Sequence, residues 1–398
     1  MSSGSWANIL GSLSPVQKLF SEPDFTDIEL RLSTLPQRGD MKMPVIFSLH
    51  KNIIAGSPYL REVMETHMRE YGILRRIEVF TGPAFHKANA FAMALQVLYG
   101  CPLIDMRSIR QVTLKGLGIN HEENNFLMFN ANLAVADFAL CYAAAGAFLD
   151  NPEITDRGIQ LALQLFSWDT VELILSFGLG PENFMITCAN TIRSMKRIDD
   201  FKNKQAVLVL RAAIDFITAN TPSDFTFFPR AQANFIPSRI PPPLHSLHES
   251  CCKDPRLEDI QFGSLPSFAA QRPTRADILV LSALLLTLPF KPFTIIIENL
   301  KAANKLSMDL MKSIVLAREA RRENALRLAI HHRFWNCGPG PLNAMYELGY
   351  TEFVTKENIK AGNDKYAVVG SGYSVRRSWT GFDWPSGHLV KPWLQRLN

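Results

Sequence analysis

The sequence predicts an α+β protein: a small sheet with surrounding helices, followed by a mainly α-helical C-terminal region. Three observations carry this. Between Asp27 and Gly100, short segments with the alternating period of half-buried strands are interleaved with helical segments. From Phe126 onward the apolar pattern turns helical. The 398 residues are 47% apolar and 20% charged, enough to bury packed cores and too apolar for a disordered chain.

The elements follow in order. Ile28, Leu30 and Leu32 alternate with Glu29 and Arg31, which predicts a first strand over Asp27 to Leu32. Val45, Phe47 and Leu49 alternate likewise and give a second, after a polar loop from Ser33 to Lys42. Ser57-Pro58 is a helix start, with Ser as the cap and Pro at the first helical position. Ile77 and Val79 mark a third strand. Pro83 is expected to open a helix whose Phe91, Leu95 and Leu98 share a face.

Helices are then expected over Phe126 to Leu149, broken near Gly146, and from Asn151-Pro152 through Leu165. Asp169-Thr170-Val171-Glu172 reads as a capping box opening a helix that ends at Gly178. Further helices are predicted over Phe184 to Ile198 and Lys204 to Ala219. Thr221 to Arg272 holds a run of prolines and little periodicity, the composition of a linker. Arg275 to Phe290, Phe293 to Asn304 and Met308 to Phe334 return to helix. Tyr366 to Val369 and Tyr373 to Val375, around Gly370-Ser371-Gly372, predict a hairpin. Four tail aromatics, Trp379, Phe382, Trp384 and Trp393, are expected to pack on the helical core.

The ordered set Phe25-Thr26-Asp27-Ile28, Phe47-Ser48-Leu49-His50-Lys51, Ser57-Pro58-Tyr59-Leu60, Ile77-Glu78-Val79 and Leu95 to Gly100 resembles the BTB/POZ domain. Asp27, His50, Ser57 and Tyr99 are the fold-signature residues. Asp27 and His50 stand at strand ends, where a carboxylate–imidazole or backbone hydrogen bond clips the sheet to the helices. The helical stretch that follows resembles the BACK-like extension of fungal BTB proteins. The implied organisation is an arm over residues 1–24, a BTB/POZ domain over 25–150, and a helical extension over 151–220. A Pro-rich linker over 221–272 and a helical region with a small β element over 273–398 complete it. Leu103 to Asn125 reads as an insertion within the domain.

The resemblance implies a non-enzymatic interaction adaptor that dimerises and brings a protein substrate to a cullin-3 type ubiquitin ligase, in the cytoplasm, the nucleus or both. Met68-Arg69-Glu70 occupies the place of the family's apolar-x-Glu cullin motif. Met68 would fill a groove and Glu70 would accept hydrogen bonds at its rim; the other reading is a helix C-terminus that happens to hold Met and Glu. Leu13, Val16, Leu19 and Phe20 in the arm need a surface to cover, either a second copy across a two-fold axis or their own domain. The alternative function is a BTB scaffold or transcription-related regulator that self-associates without cullin.

Other chemistry finds little footing. A net charge of +5 is weak for this size and argues against nucleic acid as partner. Cys101, Cys141, Cys188, Cys251, Cys252 and Cys337 are scattered and read as reduced thiols. His245, His248, Cys251 and Cys252 offer zinc ligands but crowd a tetrahedral site into one short segment, so no metal and no other cofactor is expected. Arg318, Arg321, Arg322 and Arg327 interleave with Glu319 and Glu323 as on a solvated helix. No basic and apolar leader opens the sequence, the apolar segments read as core helices, and neither secretion nor a membrane is expected. No phosphate-binding loop or paired-carboxylate motif is present, and catalysis at His50 lacks a partner in sequence.

Overall fold

A computed structural model describes residues 14–21, 25–34, 43–85, 87–116, 131–188, 202–235, 275–331, 348–357, 372–380, 382–383 and 388–389. The fold is mixed α+β with a small mixed sheet. The chain divides into two compact units, Met1–Ala213 and Ile214–Asn398, and the boundary falls inside one helix, Val207–Asn220.

In the first unit the sheet order is β2-β1-β3-β4, with β1 Ile28–Thr34, β2 Val45–Leu49, β3 Arg76–Thr81 and β4 Ile186–Cys188. β1 runs antiparallel to β2 and parallel to β3. One face of β1 buries Ile28, Leu30 and Leu32, as the alternation predicts, and the other carries Glu29 and Arg31. α1 Pro15–Ser21 precedes the sheet, and α2 Lys51–Ile54 and α3 Pro58–Tyr71 lie between β2 and β3 in sequence. The cap at Ser57 forms as predicted. Its buried hydroxyl accepts from the Leu60 N–H (3.2 Å) and donates to the Leu149 carbonyl (2.6 Å), tying α3 to the end of a helix far along the chain.

α4 Ala88–Leu98 begins later than Pro83, because Gly82 to Phe85 fold into a turn (Phe85 N–H to Gly82 O, 3.1 Å). Of Leu103 to Asn125, the part up to Gly116 lies within the described residues. It contains α5 Met106–Gly116, whose Ile109, with Ile104 before it, is buried in the unit's core. α6 Ala131–Leu149 runs unbroken through Gly146, where a Cβ would stand 2.6 Å from the Thr155 backbone nitrogen. That glycine is spent on close helix packing, not on a break.

α7 Pro152–Leu163 is capped by Asn151, whose side chain accepts from the Ile154 N–H at 3.2 Å. The capping box before α8 Val171–Leu179 does not form. Thr170 occupies the cap, and its hydroxyl donates to the Leu165 carbonyl at 2.5 Å. The helix also continues past Gly178, which instead allows the close approach of Leu210.

Phe184 to Ile198 departs most from expectation. Ile186–Cys188 is β4, antiparallel to β3, and residues 189–201 lie outside the described residues. A π-helical turn at Lys202–Ala206 then leads into α9 Val207–Asn220. A single apolar cluster runs from Ile28 through the helices to Val209. Among the described residues, α6 alone is long and apolar enough to cross a membrane, and most of it is buried inside this cluster.

The second unit packs α10 Ala276–Thr287, α11 Phe290–Ala302 and α12 Met308–His331 around Leu281, Leu284, Phe293, Ile297 and Ile314. Thr221 to Phe235, the start of the proline-rich stretch, is partly packed; the run Pro241-Pro242-Pro243 lies outside the described residues. Phe225 and Ala231 are buried, and the Phe228 N–H donates to Ser282 Oγ at 3.0 Å. The hairpin pairs β5 Tyr350–Glu357 with β6 Gly372–Trp379. Its first strand therefore precedes Tyr366 to Val369, which lie outside the described residues. A short pair, β7 Phe382–Asp383 and β8 His388–Leu389, follows. Trp379 is exposed and meets Tyr350 edge-on at 4.9 Å, so it does not sink into the core.

α12 is not a solvated helix. Arg318 and Arg322 are buried, and Arg318 binds Glu352 of β5 through both oxygens (2.7 and 2.9 Å).

Candidate functional site

Exposed apolar side chains gather around the C-terminal end of α3. Gly72 ends that helix with φ of 83°, a left-handed conformation open to glycine. The chain then turns into β3 within a few residues. The turn buries Leu74 in the core and leaves its other apolar side chain, Ile73, outside. Met68 is 62% and Ile73 78% exposed, and Tyr71 stands out beside them.

Met68, Arg69 and Glu70 belong to the last turn of α3, not to a loop. All three are exposed, and Arg69 Nε donates back to the Glu65 carbonyl at 3.3 Å. Two grooves flank the turn and share His67, Leu74 and Arg76. One, of about 580 Å³, is lined by Val63, Glu70, Tyr71 and Cys188 among others. The other, of about 820 Å³, runs past Asp27, Lys51 and Ile73. Tyr71 rests on His67 with ring centres 5.1 Å apart. Burial pushes the Cys188 thiol up to about 11, so it lines its groove as a neutral group at physiological pH.

Phe25, which the sequence offers only as the first residue of the Phe25-Thr26-Asp27-Ile28 set, is also exposed. Phe25 has φ of 63°, left-handed for a bulky residue, and its ring is almost wholly in solvent. It adjoins Thr26 and Asp27 at the edge of the larger groove. The strain, of order 1–3 kcal/mol, has no signal in composition or period.

The fold-signature residues fall into two places. Asp27, His50 and Tyr99 converge. Asp27 Oδ1 accepts from the Lys51 N–H (2.8 Å), the His50 N–H donates to Tyr99 Oη (3.0 Å), and His50 Nδ1 lies 3.2 Å from the same oxygen. The clip between sheet and α4 thus uses backbone donors. Burial raises the Tyr99 pKa, while the His50 hydrogen bond opposes the shift. Ser57 stands apart, at the start of α3.

In the arm, α1 lies against this same corner. Phe20 meets Tyr99 edge-on at 5.1 Å, Leu19 packs on the core, and Gln17 Nε2 donates to the Gly100 carbonyl at 2.6 Å. Val16 stays exposed, and Leu13 lies outside the described residues. Two of the four arm residues thus cover their own domain.

Among the described residues, no three His, Cys, Asp or Glu side chains are grouped to hold a metal ion. His245, His248, Cys251 and Cys252 lie outside them. Cys101, Cys141 and Cys188 are not joined in disulfides. No protein-family model, curated protein or solved structure matches this chain.

Proposed function

We propose that the chain is a non-enzymatic adaptor whose first unit is a BTB/POZ-type module, presenting the end of α3 to a cullin-3 type scaffold. The observation that carries this is the ridge of Met68, Tyr71 and Ile73, projecting beside a groove that Glu70 lines. An apolar anchor with a polar acceptor at its rim is the composition of an interface hot spot. The strand order β2-β1-β3, with β1 and β3 parallel and a buried Ser-Pro helix cap between, supports the same reading. The second unit then holds the protein substrate. Self-association through the arm belongs to this proposal and rests on Val16, the arm residue left uncovered.

The test is direct binding of the full chain to the purified N-terminal region of the cullin. The unmutated chain binds, and Met68→Ala with Glu70→Ala weakens binding roughly tenfold or more. No binding by the unmutated chain overturns the cullin reading and leaves the self-associating scaffold.

A further inference from the structure

The two grooves beside the end of α3 differ in sign. Tyr71 lines the smaller and Ile73 the larger, so each groove takes one flank of the apolar ridge, while His67 and Arg76 line both. In the smaller groove Glu70 and Glu78 outnumber Arg76, which is engaged by Glu29 at 3.4 Å. Both carboxylates are exposed, and among the described residues neither meets a cation or a hydrogen-bond donor. Glu70 also stands in the last turn of α3, at the negative pole of the helix dipole, where a carboxylate is disfavoured and a cation favoured. Arg69 does not answer it, since its Nε turns back to the Glu65 carbonyl. In the larger groove Lys51, Arg75 and Arg76 outnumber Asp27 and Glu29. Glu29 is taken by Arg31 and Arg76, and Asp27 Oδ1 by the Lys51 N–H. Among the described residues, Lys51 Nζ and the Arg75 guanidinium are left without a carboxylate.

We infer that this face docks a protein surface with an apolar centre between a basic flank and an acidic flank. The centre covers Met68, Tyr71 and Ile73, the basic flank enters the groove of Glu70 and Glu78, and the acidic flank enters that of Lys51 and Arg75. The inference takes from the adaptor reading that this face is a docking site, and adds the chemistry and the orientation of what docks there. Apolar side chains at the centre of an interface carry most of its affinity, but a ridge of three such residues fixes no direction about its own axis. The flanking charges fix one. Turned by half a revolution, the partner sets acid against Glu70 and Glu78 and base against Lys51 and Arg75, and like charges facing each other reject that arrangement. Nucleic acid and anionic lipid present charge of one sign, which suits the larger groove and is repelled by the smaller. A folded protein surface satisfies both.

The test uses the full chain and two probes. Against the N-terminal region of the cullin, Arg75→Glu and Glu78→Lys each weaken binding roughly tenfold, mainly through the association rate, and added salt weakens binding of the unmutated chain. Circular dichroism stays unchanged, because both side chains are exposed. The second probe is a synthetic helical peptide whose leucines are flanked by lysines along one side and glutamates along the other. The unmutated chain binds it about tenfold more tightly than peptides with the same leucines flanked by lysine alone or by glutamate alone, and Arg75→Glu or Glu78→Lys removes that preference. Cullin binding that both substitutions leave intact overturns the inference while the adaptor reading stands. Absence of cullin binding with the peptide preference retained overturns the cullin reading alone and upholds the inference for another protein. A peptide of one sign that binds as tightly as the bipolar one overturns the inference, and failure of both probes to bind overturns both.

Discussion

Arg318 and Glu352 form a bidentate ion pair in which neither side chain touches solvent. The remaining guanidinium donors reach the Leu285 and Leu288 carbonyls (2.7 and 2.9 Å), acceptors at the C-terminal end of α10. The Phe293 ring lies under the cation at 3.9 Å. Nearby, Glu319 accepts from the Glu352 N–H, Thr351 Oγ1 and Arg322 Nε. These bonds fasten β5 to the helices of the second unit.

Removing one partner therefore strands the other. Glu352→Leu is expected to cost about 3–5 kcal/mol, because a buried guanidinium loses its counter-charge. Replacing both, with Arg318→Met and Glu352→Leu, is expected to recover part of that loss. The urea midpoints of the three chains decide this. A double variant less stable than the single would show that the helix-end carbonyls depend on Arg318 more than the cation depends on Glu352.

Helix propensity and packing oppose each other at Gly158. Alanine in a helix interior is favoured over glycine by about 1 kcal/mol. Here, however, a Cβ would lie 2.6 Å from the Ala143 nitrogen and 2.8 Å from the Ala139 carbonyl oxygen. These are backbone atoms of α6 and have no rotamer to move. Gly158→Ala is therefore expected to lower the thermal midpoint, with a net loss of roughly 1–3 kcal/mol. An unchanged or raised midpoint would mean that α7 can shift away from α6 at little cost.

Alkaline pH tests the core of the first unit through Tyr142. Burial pushes its phenol up to about 12 from an ordinary value of 10.0, opposed in part by the Ile104 backbone and the Arg157 charge. A raised pKa favours the protonated form in the folded state. Its contribution is fully present below pH 10.0, where both states hold the proton. It is lost as the pH rises through about 12, because the unfolded chain releases its proton first. Stability should fall across that window by at most about 1.4 kcal/mol per pH unit from this group. Tyr142→Phe should flatten that part of the pH–stability curve, and an identical slope in both chains would remove Tyr142 as its source.

Local sequence carried some of this architecture and missed the rest for identifiable reasons. Ser57-Pro58 and Asn151-Pro152 state their helix starts through the cap side chain and the fixed φ of proline, both local properties. The alternation of β1 and β3 is equally plain. β4 was invisible because three residues carry no period, and only pairing of Val79 with Cys188 and Phe80 with Thr187 defines them as a strand. Arg318 and Glu319 look like a surface pair because the residues that bury them, Thr351 and Glu352, arrive on a later strand. At the candidate site, Met68 and Glu70 were legible as residue types. Their place at a helix C-terminus was one of the two readings the residues allowed, and the exposure of Tyr71 and Ile73 beside them follows from the left-handed exit at Gly72.

β4 also bears on the order in which the first unit is made. β1, β2 and β3 leave the ribosome early, but the strand that completes their sheet is not synthesised until Cys188. Until then the outer edge of β3 is open, and the Leu149 carbonyl that receives the Ser57 hydroxyl is also missing. Contacts this distant in sequence slow folding, and they leave unpaired strands exposed to other nascent chains. Among the described residues β2 borders β1 alone, a second strand edge in the same intermediate. The sheet of the first unit is therefore completed only after the chain between Thr81 and Cys188 has been made.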